Sequence, residues 1–120
     1  MLYLFNTTIC PNEGLFRNKK ITVEDAKQIL DKHWEVPDND CYRAGYYGIT
    51  SALGHQGSAD VFNILFPNLN CQVNRIQATM QPGDEAICLK VIGRLPEGQI
   101  LTLEELEKLG FEFYLLSRVE

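Results

Sequence analysis

The chain opens on Leu2-Tyr3-Leu4-Phe5, an apolar run too short for a membrane span or a signal core, which predicts a first strand. Asn6-Thr7-Thr8 and Pro11-Asn12-Glu13-Gly14 follow with turn chemistry, so Asn6 is expected where strand gives way to loop. Thr22 is a good helix N-cap with Glu24 and Asp25 behind it, and Val23, Ala26, Ile29 and Leu30 recur at helical spacing, predicting a helix over 22–33. Val36-Pro37-Asp38-Asn39-Asp40 reads as a linker. From Tyr42 to Leu53 aromatics, glycines and β-branched residues mix without a clear period, with strand favoured over helix between Tyr46 and Leu53. Gly54-His55-Gln56-Gly57-Ser58 then leads into Val61, Phe62, Ile64, Leu65 and Phe66, an apolar helix ending before Pro67.

Farther on, Val73 to Met80 alternates, and Gln81-Pro82-Gly83-Asp84 turns the chain back into Glu85 to Gly93. This pattern predicts a hairpin whose return strand, almost continuously apolar, is central and covered on both faces. Thr102, with Glu105 three residues later, predicts a capped helix closed by Gly110, and Phe111 to Leu116 a last strand. The expected class is α+β: a mixed, mostly antiparallel sheet of about five strands flanked by helices, one domain over 1–120.

Composition narrows the partners. The 120 residues carry 11 basic and 16 acidic side chains, a formal net charge of -5. Residues 1–60 hold six basic and eight acidic groups and 61–120 five and eight, so neither half offers the basic field that long nucleic acids require. Cys10, Cys41, Cys71 and Cys88 stand singly, without zinc-site spacing, and nothing resembles a secretory signal. They are expected to be reduced packing residues of a cytoplasmic protein with no membrane span.

Three groups of residues could carry chemistry. In Gly54-His55-Gln56-Gly57-Ser58, glycines allow backbone N–H groups near a ligand, a helix start favours an anion, and His55 can hold a proton near neutral pH. The same segment also reads simply as a shaped turn with Ser58 capping the helix and His55 in solvent. Second, a symmetric hairpin loop at Pro82-Gly83 sets Arg75 opposite Lys90, with Arg94 on the same face, a like-charge opposition that an anion would relieve. A loop one residue longer or shorter separates them again. Third, Arg94 and Glu97 lie close enough around a bend to pair, either to orient a guanidinium toward a phosphoryl group or as a surface salt bridge of little energetic weight. His33 reads as a charge at a helix C-terminus. No carboxylate cluster with metal-ligand spacing, nucleophile elbow or P-loop occurs in the sequence.

In order, Asn6, Gly54-His55 before a helix, Asn74-Arg75-Ile76, Gly83-Asp84-Glu85-Ala86 and Arg94-Leu95-Pro96-Glu97-Gly98-Gln99-Ile100-Leu101-Thr102 resemble the small viral ring nucleases that act as type III anti-CRISPRs. The likeness is strongest from about Ser51 to Leu116; across Thr7 to Gly48 only the order of strand and helix matches. The resemblance implies a homodimer whose two-fold pocket binds cyclic tetra-adenylate and cleaves it without metal or cofactor. It implies His55 as general acid, Arg94 and Glu97 as the pair completing the catalytic pocket, Arg75 as a phosphate ligand and Asn6 as a further ligand contact. The implied nucleophile is the substrate's own ribose 2′-hydroxyl. Two positions depart from the family pattern: Gly57, followed by Ser58, stands where a serine is usual, and Lys90 where a glutamine is usual. Ser58 or a backbone N–H is expected to replace the first contact, and Lys90 to add positive charge.

The expectation is therefore a cyclic oligoadenylate phosphodiesterase that silences type III CRISPR signalling. The alternative is a non-catalytic dimeric binding module that sequesters a cyclic oligonucleotide or binds a host protein.

Overall fold

The computed structural model describes residues 2–6, 14–35, 45–54, 56–76, 78–92 and 102–120. Its main sheet has five strands in the order β2-β7-β6-β1-β5, with β1 Leu2–Phe5, β2 Phe16–Ile21, β5 Ile49–Ser51, β6 Glu85–Val91 and β7 Phe111–Arg118. A two-stranded ribbon pairs β3 (Trp34–Glu35) with β4 (Gly45–Tyr46). The helices are α1 Val23–Asp31, α2 Gln56–Leu65 and α3 Leu103–Leu109. The sheet is mixed: β1 runs parallel to both β5 and β6, while the longer ladders, β6 with β7 and β7 with β2, are antiparallel. This is the α+β architecture expected.

The strands' two-residue period divides the core. Leu2 and Leu4 of β1, Ile87 and Leu89 of β6 and Phe113 of β7 meet Ala26 and Leu30 of α1, Val61 and Phe62 of α2 and Leu106 of α3. All three helices thus lie on one face. On the other, Phe5, Ala86, Cys88 and Leu116 pack with Ala78 and Met80. Four consecutive residues of β6, Ala86 to Leu89, are buried because this strand is covered on both sides, as its unbroken apolar run predicts.

Local chemistry explains the helix boundaries. The Thr22 hydroxyl accepts from Asp25 N at 3.1 Å and the Asp25 carboxylate accepts from Thr22 N at 3.1 Å, a complete capping box. At α3 the Thr102 hydroxyl accepts from Glu105 N, and Gly110, at φ 79°, donates its N–H to Leu106 O.

Three expectations change. The strand expected between Tyr46 and Leu53 is divided into β4 and β5 at Gly48, whose φ of 75° breaks the extended run; a Cβ there would also lie 3.2 Å from His33 Nδ1. The Val73 to Met80 hairpin strand is absent: none of the described residues in that stretch is in a strand, because both edges of β6 are already taken by β1 and β7. Alternation sets which face a side chain takes, not which strand pairs with it. Strand β2 gave no sequence signal, since Phe-Arg-Asn-Lys-Lys-Ile is charged along an exposed sheet edge, where such charge discourages pairing with another chain.

Candidate functional site

Because β1, β5 and β6 are parallel, their carboxyl ends share one edge of the sheet, the usual side for ligands in parallel sheets. Leu4 is level with Ser51 and Ile87 and Phe5 with Cys88, so half-buried Asn6 follows directly where β1 ends. At the same edge the chain leaves β5 through Gly54, and α2 begins at Gln56. Gly57 is half-buried in the first turn and Ser58 is buried inside it at 6% exposure, so Ser58 does not act as the solvent-facing cap. His55, Arg94 and Glu97 lie outside the described residues, as do Cys10 and Cys41 and the linker at 36–40.

Arg75 reaches this edge by a route that sequence reasoning missed. The stretch 71–75 is fastened beside β5: Asn74 N donates to Leu53 O at 2.9 Å, Asn74 Nδ2 to Ser51 O at 2.9 Å, and the Ser51 hydroxyl to Gln72 O at 2.6 Å. Asn63 of α2 holds the same stretch by donating to Cys71 O at 2.8 Å. Arg75 Nε then donates to Gly54 O at 3.0 Å, which sets an exposed guanidinium, with four further N–H donors, beside the residue preceding His55.

Arg75 therefore does not oppose Lys90. The residue across from Lys90 is Glu112 of β7, and Lys20 of β2 extends the row: Lys20 Nζ lies 3.1 Å from Glu112 Oε1, and the Tyr114 hydroxyl donates to Glu112 Oε2 at 2.6 Å. The Tyr114 hydrogen bond, followed by that from Lys20, holds the Glu112 carboxyl below the usual carboxylate range. The same hydrogen bond pushes the Tyr114 hydroxyl up. The like-charge opposition expected from the hairpin does not arise, because Lys90 faces a carboxylate. Alternation in Phe111 to Leu116 signals that Glu112 and Tyr114 share a face, but only the ladder shows that Lys90 joins them.

Two other groups take structural roles. The His33 ring lies with Nδ1 3.0 Å from Tyr47 O; a carbonyl only accepts, so this nitrogen carries the proton and ties the end of α1 to β4. Cys71 and Cys88 are both buried and in no disulfide, and burial pushes the Cys71 thiol up. Among the described residues, no three His, Cys, Asp or Glu side chains are grouped to hold a metal ion. Nor, among them, is any helix long and apolar enough to cross a membrane.

Comparison with known proteins gives this arrangement a family. The model of STIV B116-like proteins matches residues 2–113. The chain belongs to the STIV B116-like family. Uncharacterized protein ORF117 of Acidianus two-tailed virus is 36% identical over 124 residues, covering 100% of this chain and 95% of that protein. The B116-like relatives extend to uncharacterized protein YddF of Bacillus subtilis (strain 168), 30% identical over 115 residues, covering 96% of this chain and 94% of YddF. In three dimensions the chain is similar to B116 of Sulfolobus turreted icosahedral virus, with a TM-score of 0.72 at 22% identity over 98% of each chain, a likeness of fold.

Proposed function

We propose that this B116-like protein is a metal-independent ring nuclease that opens cyclic tetra-adenylate and thereby silences type III CRISPR signalling. The observation that carries the reading is the gathering of Asn6, Gly54, the start of α2 and Arg75 at the carboxyl edge of three parallel strands, while Lys90, in step with Ala86 and Cys88, is on the opposite face of the sheet from α2. Asn6 supplies an amide, Arg75 supplies positive charge, and Gly57 adds no side chain of its own to the opening turn of α2. Gly54 and Gln56, the sequence neighbours of His55, are both at this same edge.

In this reading the ribose 2′-hydroxyl attacks the adjacent phosphorus, the bond from phosphorus to the 5′-oxygen breaks, and a 2′,3′-cyclic phosphate results. The 2′-hydroxyl loses a proton, and His55 gives one to the departing 5′-oxygen. Arg94, oriented by Glu97, stabilises charge on the phosphoryl oxygens. A homodimer presents Arg75 twice, which suits a ring of four phosphates although the whole chain is acidic; sedimentation with and without ligand reports that state.

The decisive experiment is incubation of purified protein with cyclic tetra-adenylate in EDTA, followed by chromatography of the denatured mixture. Linear products ending in a 2′,3′-cyclic phosphate are expected. His55→Ala should lower the single-turnover rate about 10²- to 10⁴-fold while leaving binding largely intact. Recovery of intact ring from a protein that binds it tightly overturns the enzyme reading in favour of a sequestering module.

A further inference from the structure

Strand β5 is the last of the main sheet, and its outer side faces the stretch from Leu69 to Asn74. Between them lies a cleft of about 440 Å³, at the small end of the range for small-molecule sites. Leu4, Ile49, Leu69 and Val73 give it an apolar part, Ser51, Asn70, Gln72 and Asn74 a polar one, and among the described residues no Asp, Glu, Lys, Arg or His side chain lines it. A charged ligand would leave water there without a partner, which selects for a neutral one.

The polar lining is ordered by the backbone. Cys71 is buried and Val73 half-buried, while Gln72 and Asn74 are exposed, the two-residue alternation of an extended segment, which Asn70 precedes at a left-handed φ of 51°. All three carboxamide residues line the cleft. The carboxamide of Asn74 is spent on Ser51 O, whereas among the described residues those of Asn70 and Gln72 make no hydrogen bond. Each offers a donor beside an acceptor, the pairing that matches the edge of a nucleobase and best that of adenine. Tyr46 supplies an aromatic wall whose orientation is set twice, by its hydroxyl bond to Asp31 Oδ1 at 3.4 Å and by a T-shaped contact with Trp34 at 4.9 Å. Apolar floor, fixed ring and free carboxamides together describe a flat ligand with hydrogen-bonding edges.

We propose that this cleft is a binding site for a neutral, planar nitrogen heterocycle of nucleobase or nucleoside size. It is separate from the phosphate chemistry at Arg75 and holds whether or not the ring nuclease reading does. The probe is adenosine, titrated into ¹⁵N-labelled protein with amide shifts followed by NMR. Saturable shifts are expected at Tyr46, Ile49 and the 69–74 stretch. Gln72→Ala and Asn70→Ala, both on exposed side chains, should each weaken binding about 2- to 10-fold, the worth of one hydrogen bond. Leu69→Trp should fill the cleft and abolish binding, with an unchanged unfolding midpoint reporting the fold; the carboxamide variants decide the matter if it does not fold. Arg75→Ala, whatever it does to ring cleavage, should leave the affinity for adenosine unchanged, and AMP should bind no more tightly than adenosine. Absence of shifts, shifts centred elsewhere, carboxamide variants without effect, or affinity that requires the 5′-phosphate or Arg75 overturns the proposal. Failure of cyclic tetra-adenylate cleavage bears on the ring nuclease reading and leaves this proposal standing.

Discussion

Glu112 shows how one side chain reorganises the charge inferred from a sequence. It receives the Tyr114 hydroxyl on one carboxylate oxygen and Lys20 on the other, and it faces Lys90 across the ladder. Because the folded protein depresses its pKa, its contribution to stability is fully present above the unfolded carboxylate value and is lost as pH falls through the lower folded one. Removing the largest single cause, by Tyr114→Phe, should raise the Glu112 titration midpoint in a carboxyl-carbon NMR titration; an unchanged midpoint would contradict the assignment. Arg75 teaches the complementary lesson. Its residue type and its place after Asn74 are visible in the sequence, but its partner, the Gly54 carbonyl, is 21 positions away and has no local signature.

Elements whose signals are local were legible in advance. The chemistry of Thr22, Glu24 and Asp25 marks the start of α1, and the capping box there accounts for two backbone and side-chain hydrogen bonds. Thr22→Ala removes one of them and should destabilise the fold by about 1 kcal/mol in denaturant unfolding, whereas Thr22→Ser should be close to neutral. The unbroken apolar run of β6 likewise announced a central strand. Edge elements were illegible for the opposite reason: β2 buries only Ile21 fully, so its composition carries no burial pattern, and β3 and β4 are two residues each. The alternation of Val73 to Met80 was real, yet it marks a segment lying against β5 and the helix-free face rather than a strand.

Across the whole molecule, α2 is held to the sheet by an aromatic cluster. Phe113 of β7 lies 5.6 Å from Phe62 of α2, 6.0 Å from Phe66 and 5.7 Å from Phe111, between ring centroids. Phe113→Ala should cost about 3–5 kcal/mol, read as a lowered unfolding midpoint. Since α2 opens the candidate site with Gln56, Gly57 and Ser58, the same variant should weaken ligand binding below its own midpoint, a loss that a pure stability effect would not produce. Net charge, the absence of a long basic field, the caps and the central strand follow from the sequence by itself, because composition is additive and caps and burial periods are short-range. Which strands are neighbours, that β1, β5 and β6 present their carboxyl ends together, and that Arg75 meets Gly54 while Lys90 meets Glu112 were decided only by tertiary structure. Strand pairing depends on register between segments far apart in the chain, and nothing within one segment specifies the partner it will find.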